Sequence, residues 1–333
     1  MWHKWVLGGT LGLLLLGATA GLALATGGPH GSYTATTDAC AGCHRAHTAV
    51  APKLLANTNT ALCLTCHDGT SSYVNVSDGI YMTGGTQGTP TSGLNSGGFT
   101  YGKQDTTLTG AISGTITSRH SVQGTADYTS TATLWGTGAI GSGAGPAFDL
   151  YCTSCHDPHG SNNYRNVKTI VNSVAVTVTQ TDEASKSYTA PTYYKAASTG
   201  QWEVASFCGA CHTRYLVTSS ASGETSSGDS IFTYRHRIEA PSGSTLNGVT
   251  YTFPSTLTLP VSSVNGGAPT TSPDNRSLVC LTCHRAHGTT ATMTTRAGTD
   301  VKYPDGTSAA SNNARSSLLR LDNRGVCENC HAK

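Results

Sequence analysis

The residues most able to do chemistry in this chain are its cysteines, which all occur in one repeated pattern. The stretch Cys152-Thr153-Ser154-Cys155-His156 shows it: two cysteines with two residues between them, followed directly by a histidine. The pattern occurs six times and uses all 12 cysteines, which leaves none for a disulfide. The cysteine pairs are Cys40 and Cys43, Cys63 and Cys66, Cys152 and Cys155, Cys208 and Cys211, Cys280 and Cys283, and Cys327 and Cys330.

A Cys-x-x-Cys-His pattern is the attachment site of a c-type haem. The two thiols add across the porphyrin vinyl groups, and the adjacent histidine binds the iron. Paired cysteines also bind zinc or carry out thiol redox chemistry, but a histidine directly after all six pairs favours haem. The sequence therefore predicts six covalently attached haem c groups, with proximal iron ligands His44, His67, His156, His212, His284 and His331.

The histidine count predicts the second axial ligands. Of 13 histidines, six are proximal, and His3 lies in a predicted signal peptide. Six remain for six irons, so we expect every iron to be bound by two histidines. These distal candidates are His30, His47, His120, His159, His236 and His287.

The ligands form a threefold internal repeat. Each unit has a lone histidine, then a doubled motif in which a second histidine follows the first by three residues, then a plain motif. The units span about 26–75, 110–215 and 230–333. Each holds two haem sites and four histidines, so the ligand count of each unit closes on itself, but the sequence leaves open which distal histidine serves which iron.

The doubled motifs constrain which iron the second histidine can reach. His156 and His159 are three residues apart and project from the same side of a helical turn. They cannot bind one iron from opposite faces, so we expect His159 to serve a different haem. The same holds for His44 with His47 and for His284 with His287, which predicts a continuous chain of closely packed haems.

Residues 1–25 have the features of an export signal. A short basic start precedes an uncharged apolar run, and Ala23-Leu24-Ala25 matches a cleavage site. We expect a mature chain of residues 26–333 without stable membrane insertion; an uncleaved anchor is the alternative. Export agrees with the cysteines, because haem c is attached outside the cytoplasm.

The composition suits a chain that wraps its cofactors. Only 7% of residues are aromatic and 11% charged, with Gly, Ser and Thr in their place. We expect haem binding and folding to be coupled. The predicted fold is mostly loops with short helices, at 57–64 and 316–320, and a few small strands. A hairpin is predicted around Ser77-Asp78-Gly79, single strands at 166–181 and 248–261, and disorder or irregular structure at 83–107.

Two stretches then resemble a known family. Cys40 to His47 and Cys63 to Thr70 are similar to the doubled motifs of multihaem c-type cytochromes, and the six haems with equal numbers of spare histidines resemble the extracellular hexahaem cytochrome filaments. The resemblance implies little regular structure wrapped on a haem chain, all-histidine ligation and end-to-end polymerisation. It also implies that His47, in preference to His30, crosses to the next subunit; alternatively His47 binds the second haem of its own unit.

The expected activity is electron transfer without enzymatic catalysis. The expected partners are copies of the chain in a linear homopolymer and other redox proteins or external electron acceptors, with no nucleic acid. Two other functions stay open at this point. One is a soluble periplasmic or outer-surface electron carrier. The other is a multihaem reductase. A reductase needs an open iron position for its substrate, and it is disfavoured because there are enough histidines to fill both axial positions of every iron.

Overall fold

The computed structural model describes about half of the chain. The described residues are 30, 38–83, 89–102, 114–125, 128, 132–133, 147–178, 194–195, 203–215, 245–246, 249–250, 252–254, 257, 259–263, 276–293, 317–323 and 325–331. The predicted signal peptide at 1–25 and His236 lie outside these residues.

Each Cys-x-x-Cys-His motif begins in a short helix. The helices are α1 (Asp38–Cys43), α2 (Asn59–His67), α3 (Cys152–Cys155), α4 (Glu203–Gly209), α5 (Cys280–Cys283) and α6 (Gly325–Glu328). A helical turn places cysteines three apart on one face, as attachment to one porphyrin requires. Helices this short are marginal alone, so packing must hold them. None in the described part of the chain is long and apolar enough to span a membrane.

The strands are short and form seven separate small sheets within the described residues. One sheet has the order β1 (Val74–Asn75), β2 (Ile80–Thr83), β3 (Thr89–Gly93), and another the order β11 (Tyr194–Lys195), β14 (Ser262–Ser263), β15 (Arg276–Ser277). The two-stranded sheets pair β4 (Tyr101–Gly102) with β5 (Gly114–Thr115), β6 (Ser118–Arg119) with β16 (Gly288–Thr289), β7 (Ala132–Thr133) with β8 (Ala147–Phe148), β9 (Ile170–Val171) with β10 (Val174–Ala175), and β12 (Thr245–Leu246) with β13 (Val249–Thr250).

The first predicted hairpin is confirmed. Strands β1 and β2 pair antiparallel with Val74 opposite Tyr81 and Asn75 opposite Ile80. Gly79 closes the turn with a φ of +66°, which glycine adopts at little cost. The Asn75 side chain accepts from the Asp78 backbone N–H at 2.9 Å, so the turn is stabilised by its own polar residues.

Other local predictions were wrong or only partly right. The stretch 166–181 forms the hairpin of β9 and β10, not one strand, because Asn172 and Ser173 adopt positive φ and reverse the chain. Among the described residues of 248–261, Val249–Thr250 is the strand nearest the expected position, and residues 252–254, 257 and 259–260 are not in a strand. Residues 317–319 are not helical. Part of the expected irregular stretch 83–107 forms β3 and β4.

Buried apolar residues form three small clusters beside the cysteines. Val178, Val204 and Val279 pack against Cys208, and Val171, Val176 and Ala210 against Cys211. The third cluster packs against Cys283 and Cys330 and comprises Phe253, Leu257, Leu259, Val261 and Val326. Burial is thus concentrated where the motifs lie, as expected of a chain that folds around cofactors.

Distant segments meet through the motif helices. Helix α2 packs on α3, where the Asn59 side-chain amide donates to the Thr153 hydroxyl at 2.8 Å, and α4 packs on α5. Strand β16, directly after His287, pairs antiparallel with β6, directly before His120. These contacts fix histidines from different parts of the chain relative to one another.

Candidate haem-binding centres

Four pairs of histidine rings face each other at nearly the same distance. In each pair, one ring follows a cysteine pair and the other comes from the set of distal candidates. The ring centroids are 5.9 Å apart for His30 and His67, 6.2 Å for His44 and His159, 6.1 Å for His120 and His212, and 6.3 Å for His156 and His287.

This distance fits two imidazoles that share one iron. A histidine nitrogen lies about 2 Å from a bound metal, and half an imidazole ring adds about 1.1 Å on each side, which gives a centroid separation of about 6 Å. Stacked rings in direct contact lie closer, as Phe99 and His287 do at 4.8 Å. Each pair therefore has the spacing needed to hold an iron between its rings.

Two pairs join different doubled motifs. His159, the second histidine of the motif at Cys152, faces His44 of the first doubled motif. His287, of the motif at Cys280, faces His156. Each of these second histidines thus lies opposite the proximal histidine of the preceding doubled motif, in a different unit of the repeat.

The other two pairs stay within one unit. His30 faces His67, and His120 faces His212, so each lone histidine meets the plain motif of its own unit. The lone histidines are nevertheless anchored on the next unit. The His30 Nδ1–H donates to the Pro158 carbonyl at 2.9 Å, and the His120 Nδ1–H donates to the Ala286 carbonyl at 2.6 Å.

The proximal histidines of the doubled motifs are oriented by backbone carbonyls. Each Nδ1–H donates to one carbonyl: His44 to Lys53 at 2.9 Å, His156 to Arg165 at 2.9 Å, and His284 to Ser317 at 2.8 Å. A carbonyl can only accept, so these bonds place the proton on Nδ1. They leave Nε2 unprotonated and able to bind a metal, the arrangement that is usual for metal-ligating histidines.

The accepting carbonyls lie in a turn that occurs three times. The turns are Lys53-Leu54, Arg165-Asn166 and Ser317-Leu318, and all six residues have φ between 47° and 64°. Left-handed φ costs a non-glycine residue about 1–2 kcal/mol, so six such residues in three equivalent places indicate a functional requirement.

Backbone hydrogen bonds hold each turn against its motif. In the first copy, the Arg45 N–H donates to the Leu54 carbonyl at 2.7 Å and the Ala56 N–H to the Cys43 carbonyl at 2.9 Å. The other copies make the equivalent bonds at 2.7–2.9 Å. The turn has only a weak signal in the sequence, which is the likeness of Lys53-Leu54-Leu55, Arg165-Asn166-Val167 and Ser317-Leu318-Leu319.

Burial keeps the site histidines neutral. It lowers the pKa of His120 to about 4 and that of His287 to about 3, and it also lowers the pKa values of His67, His156 and His284. A neutral imidazole is the form that binds a metal, so the fold prepares these side chains for iron at neutral pH.

The attachment cysteines of successive motifs also meet. Contact with the Cys152 thiol raises the pKa of Cys63, and contact with the Cys280 thiol raises the pKa of Cys208. In both cases a plain motif lies against the doubled motif of the following unit. Of the 12 cysteines, Cys40 and Cys327 are exposed, and they are the first cysteines of the first and last motifs.

Two further predicted ligands, His47 and His284, are not brought into such pairs with any other histidine of the described part of the chain. His47 is exposed, and its ring faces no other described histidine. No described histidine ring faces His284 at the 6 Å spacing either. His331 is described and exposed, whereas His236 lies outside the described residues.

Comparison with known families agrees with these motifs. Residues 30–72 and 145–174 match the family model described as the doubled CXXCH motif, and both segments include a doubled Cys-x-x-Cys-His pattern. Doubled motifs of this kind indicate covalently bound haem c, and the chain resembles the multihaem c-type cytochromes, which agrees with its short helices and small strands. No curated protein sequence is detectably similar to it.

Two solved structures resemble the chain distantly. One is the cryo-EM structure of the OmcS nanowires from Geobacter sulfurreducens, with 20% identity, a TM-score of 0.37, and coverage of 88% of this chain and 98% of the other. The other is the outer membrane cytochrome S filament from the same organism, with 19% identity, a TM-score of 0.34 and the same coverage.

Proposed function

We propose that this cytochrome carries six haem c groups, each bound by two histidines, and that its copies join head to tail into an extracellular filament that transfers electrons to external acceptors. Haem iron bound at the paired histidines would supply reversible one-electron chemistry. The chain supplies spacing, burial and ligand identity. Export through the signal predicted at 1–25 would place the protein outside the cytoplasm.

One observation supports the filament most directly: the second histidine of each later doubled motif lies opposite the proximal histidine of the preceding doubled motif. His159 of the second unit faces His44 of the first, and His287 of the third unit faces His156 of the second. If the same pairing continued from the third unit to a following subunit, His47 of that next copy would lie opposite His284. The ring of His47 is exposed, and neither residue faces another described histidine.

The contacts between units repeat in the same direction. The lone histidines of units one and two are anchored on carbonyls of the following unit, Pro158 and Ala286. Helix α2 packs on α3, and α4 on α5, each joining a plain motif to the next doubled motif. Continuing the series would pack α6 on α1 of the next copy. Exposure of Cys327 and Cys40 in those two helices agrees with this.

A head-to-tail contact that repeats without closing into a ring produces an open chain of subunits. Unit one contacts unit two, and unit two contacts unit three, through equivalent residues. A third contact of this kind requires a further first unit, which only another copy of the chain can supply. Head-to-tail assembly therefore completes the ligand set of the haem at Cys280 and Cys283.

The competing interpretation of His47 is that it binds the second haem of its own unit. That haem would be bound by His67, but the ring opposite His67 belongs to His30. By the pattern of the first two units, the lone histidine His236 would serve His331. With these assignments His47 has no proposed partner within its own chain and His284 needs one.

The test compares two substitutions that each remove one distal ligand. His47→Ala removes the ligand proposed to cross between subunits, whereas His159→Ala removes an equivalent ligand proposed to act within one subunit. Both proteins are secreted, imaged by electron microscopy and examined by electron paramagnetic resonance. We expect His47→Ala to give monomers or short unstable filaments, and His159→Ala to give filaments with one altered haem.

The outcomes separate the possible functions. Filaments of normal length from His47→Ala would show that His47 acts within its own subunit. Separate monomers from the unmutated protein would overturn the filament and favour a soluble carrier. A monomer in which every iron already has two histidine ligands would also contradict the crossing ligand.

A further inference from the structure

The aromatic ring of Phe99 lies against a predicted iron ligand from a distant part of the chain. It stacks on the imidazole of His287, with ring centroids 4.8 Å apart and planes inclined at 24°. Phe99 is buried, with 6% of the residue exposed. Aromatic rings at this distance are in direct contact. Phe99 therefore limits how far the His287 ring can turn about its Cβ–Cγ bond.

His287 lacks the contact that usually orients a metal-binding histidine. Such a histidine donates its second ring N–H to a carbonyl or carboxylate, and this bond fixes the plane of the ring. The Nδ1 of His287 is buried and forms no hydrogen bond with a described residue. Burial lowers the pKa of this ring to about 3, and the nearby Gly97 carbonyl offsets only part of that effect. Within the described part of the chain, stacking on Phe99 takes the place of the usual hydrogen bond.

The loop that carries Phe99 is fixed against the motif of His287. The His287 backbone N–H donates to the Ser96 carbonyl at 2.8 Å. Gly97 passes so close to Gly288 that a Cβ added at Gly97 would overlap the Gly288 carbonyl oxygen. Because the two backbones are in contact, the phenyl ring cannot follow the imidazole if the imidazole turns.

The rings of His156 and His287 are also more steeply inclined to each other than those of the other three pairs. Their planes make an angle of 63°. The angle is 45° for His120 and His212, 20° for His30 and His67, and 10° for His44 and His159. The His156 ring is held by its bond to the Arg165 carbonyl at 2.9 Å. The steep angle therefore depends on where the His287 ring is held.

We propose that Phe99 is a positioning residue, which holds the His287 ring steeply inclined to the His156 ring and so sets the electronic state of the iron between them. Phe99 follows the second motif, whereas His156 and His287 belong to the third and fifth motifs. All three units of the repeat would thus contribute to one centre. This role for Phe99 depends on the proposed ligation of that iron by His156 and His287.

The plane of an axial imidazole matters because its π orbitals interact with only one of two iron d orbitals. Nearly parallel rings act on the same d orbital and separate the two in energy, whereas steeply inclined rings act on both and leave them closer. The upper orbital accepts the electron when ferric iron is reduced, so the plane of His287 bears on electron transfer at this haem. In electron paramagnetic resonance, parallel rings give a rhombic low-spin spectrum, and steeply inclined rings give a strongly anisotropic signal at low field.

Substitutions at two buried phenylalanines separate ring orientation from general packing. Phe99→Leu removes the flat face that contacts His287 but keeps an apolar side chain, and Phe99→Tyr retains the face. Phe253→Leu is the matched control, because Phe253 is 8% exposed and packs in the apolar cluster beside Cys283 and Cys330. Its ring lies under the Arg276 guanidinium, 5.5 Å from the ring centroid.

The measurements are electron paramagnetic resonance of the oxidised protein and near-infrared magnetic circular dichroism, which reports whether both axial ligands are still histidines. The unmutated protein should show a low-field signal from at least one iron per subunit. In Phe99→Leu that signal should lose the intensity of one iron, with a matching gain in the rhombic signal and no change of ligands. Phe99→Tyr and Phe253→Leu should retain the low-field signal.

An unchanged spectrum in Phe99→Leu would overturn the proposal, and so would an equal loss of the low-field signal in Phe253→Leu. If Phe99→Leu yields no haem-loaded protein, His287→Ala decides. The low-field signal of one iron must then disappear with the ligand, and its persistence would contradict the proposal. Failure of the proposed ligation would appear differently, as high-spin iron in the unmutated protein.

Discussion

The imidazole rings of His156 and His287 lie opposite each other with centroids 6.3 Å apart and planes inclined at 63°, although they come from different Cys-x-x-Cys-His motifs. Phe99 stacks on His287 at 4.8 Å, and the His156 ring is held by its bond to the Arg165 carbonyl. Under the proposed ligation, one iron between these rings would link the two attachment sites. A change at either histidine should therefore affect one centre without removing its cysteine tethers.

Replacing His287 provides a test of that link. His287→Ala should convert one haem from low-spin to high-spin and open it to carbon monoxide, because the opposite axial position loses its ligand. His287→Met keeps a ligand of similar reach and should leave the iron low-spin, at a higher potential than two histidines give. Optical spectra of the reduced protein with and without carbon monoxide measure both effects. Low-spin iron throughout the Ala variant would show that His287 does not bind iron.

If the secreted protein carries six haems, each bound by two histidines, its mass and the spin state of its iron can be predicted. Its mass should equal that of the polypeptide from residue 26 onward plus six haem groups, and filaments should contain only low-spin iron. Dissociated subunits should instead expose one iron, that of the haem bound by His284, to carbon monoxide. Mass spectrometry and carbon monoxide titration check the two parts. Equal carbon monoxide binding by filaments and subunits would argue against ligation across the junction.

Acid should destabilise the protein below about pH 6.5. Burial lowers the folded-state pKa of His120 to about 4 and that of His287 to about 3, while in the unfolded chain both have ordinary values near 6.5. At pH values between the folded-state and the unfolded-state pKa, the unfolded chain binds more protons than the folded one. The free energy of unfolding therefore decreases as the pH falls, and it levels off below the folded-state pKa values. Denaturant unfolding from pH 8 to pH 4 measures this. Constant stability from pH 6.5 to pH 4 would contradict it.

Asn163 should be the most sensitive polar residue of the segment after the second doubled motif. It is buried, its side-chain amide donates to the carbonyls of Lys168 and Val176, and its Oδ1 accepts from the Val178 N–H at 2.9 Å. Asn163→Ala leaves the buried Val178 N–H without an acceptor and should cost about 1–3 kcal/mol of unfolding free energy.

The neighbouring residue supplies the control for Asn163. Asn162 is exposed, so Asn162→Ala should change the unfolding free energy by less than about 0.5 kcal/mol. Urea denaturation of the haem-loaded proteins compares the two variants directly. Equal effects at the two positions would show that the buried amide does not hold the hairpin of β9 and β10.

The sequence by itself determined the chemistry of the protein. Cys-x-x-Cys-His is a local pattern, since one helical turn suffices to bring two thiols and a histidine to one porphyrin, and the six short motif helices follow from it. The spacing within the doubled motifs also predicted locally that His159 would not share an iron with His156. The turn at Ser77-Asp78-Gly79 was predictable for the same reason, because its residues stabilise it themselves.

The tertiary structure decided what depends on distant segments. Which histidine lies opposite which could not be read from counts, because a count that closes within each unit does not say that His159 and His287 lie opposite histidines of the preceding unit. The left-handed turns at Lys53, Arg165 and Ser317 carry no glycine and were missed, and the last was taken for a helix. Their conformation is imposed by backbone bonds to a motif up to 33 residues away, and local propensity contains no information about such a partner.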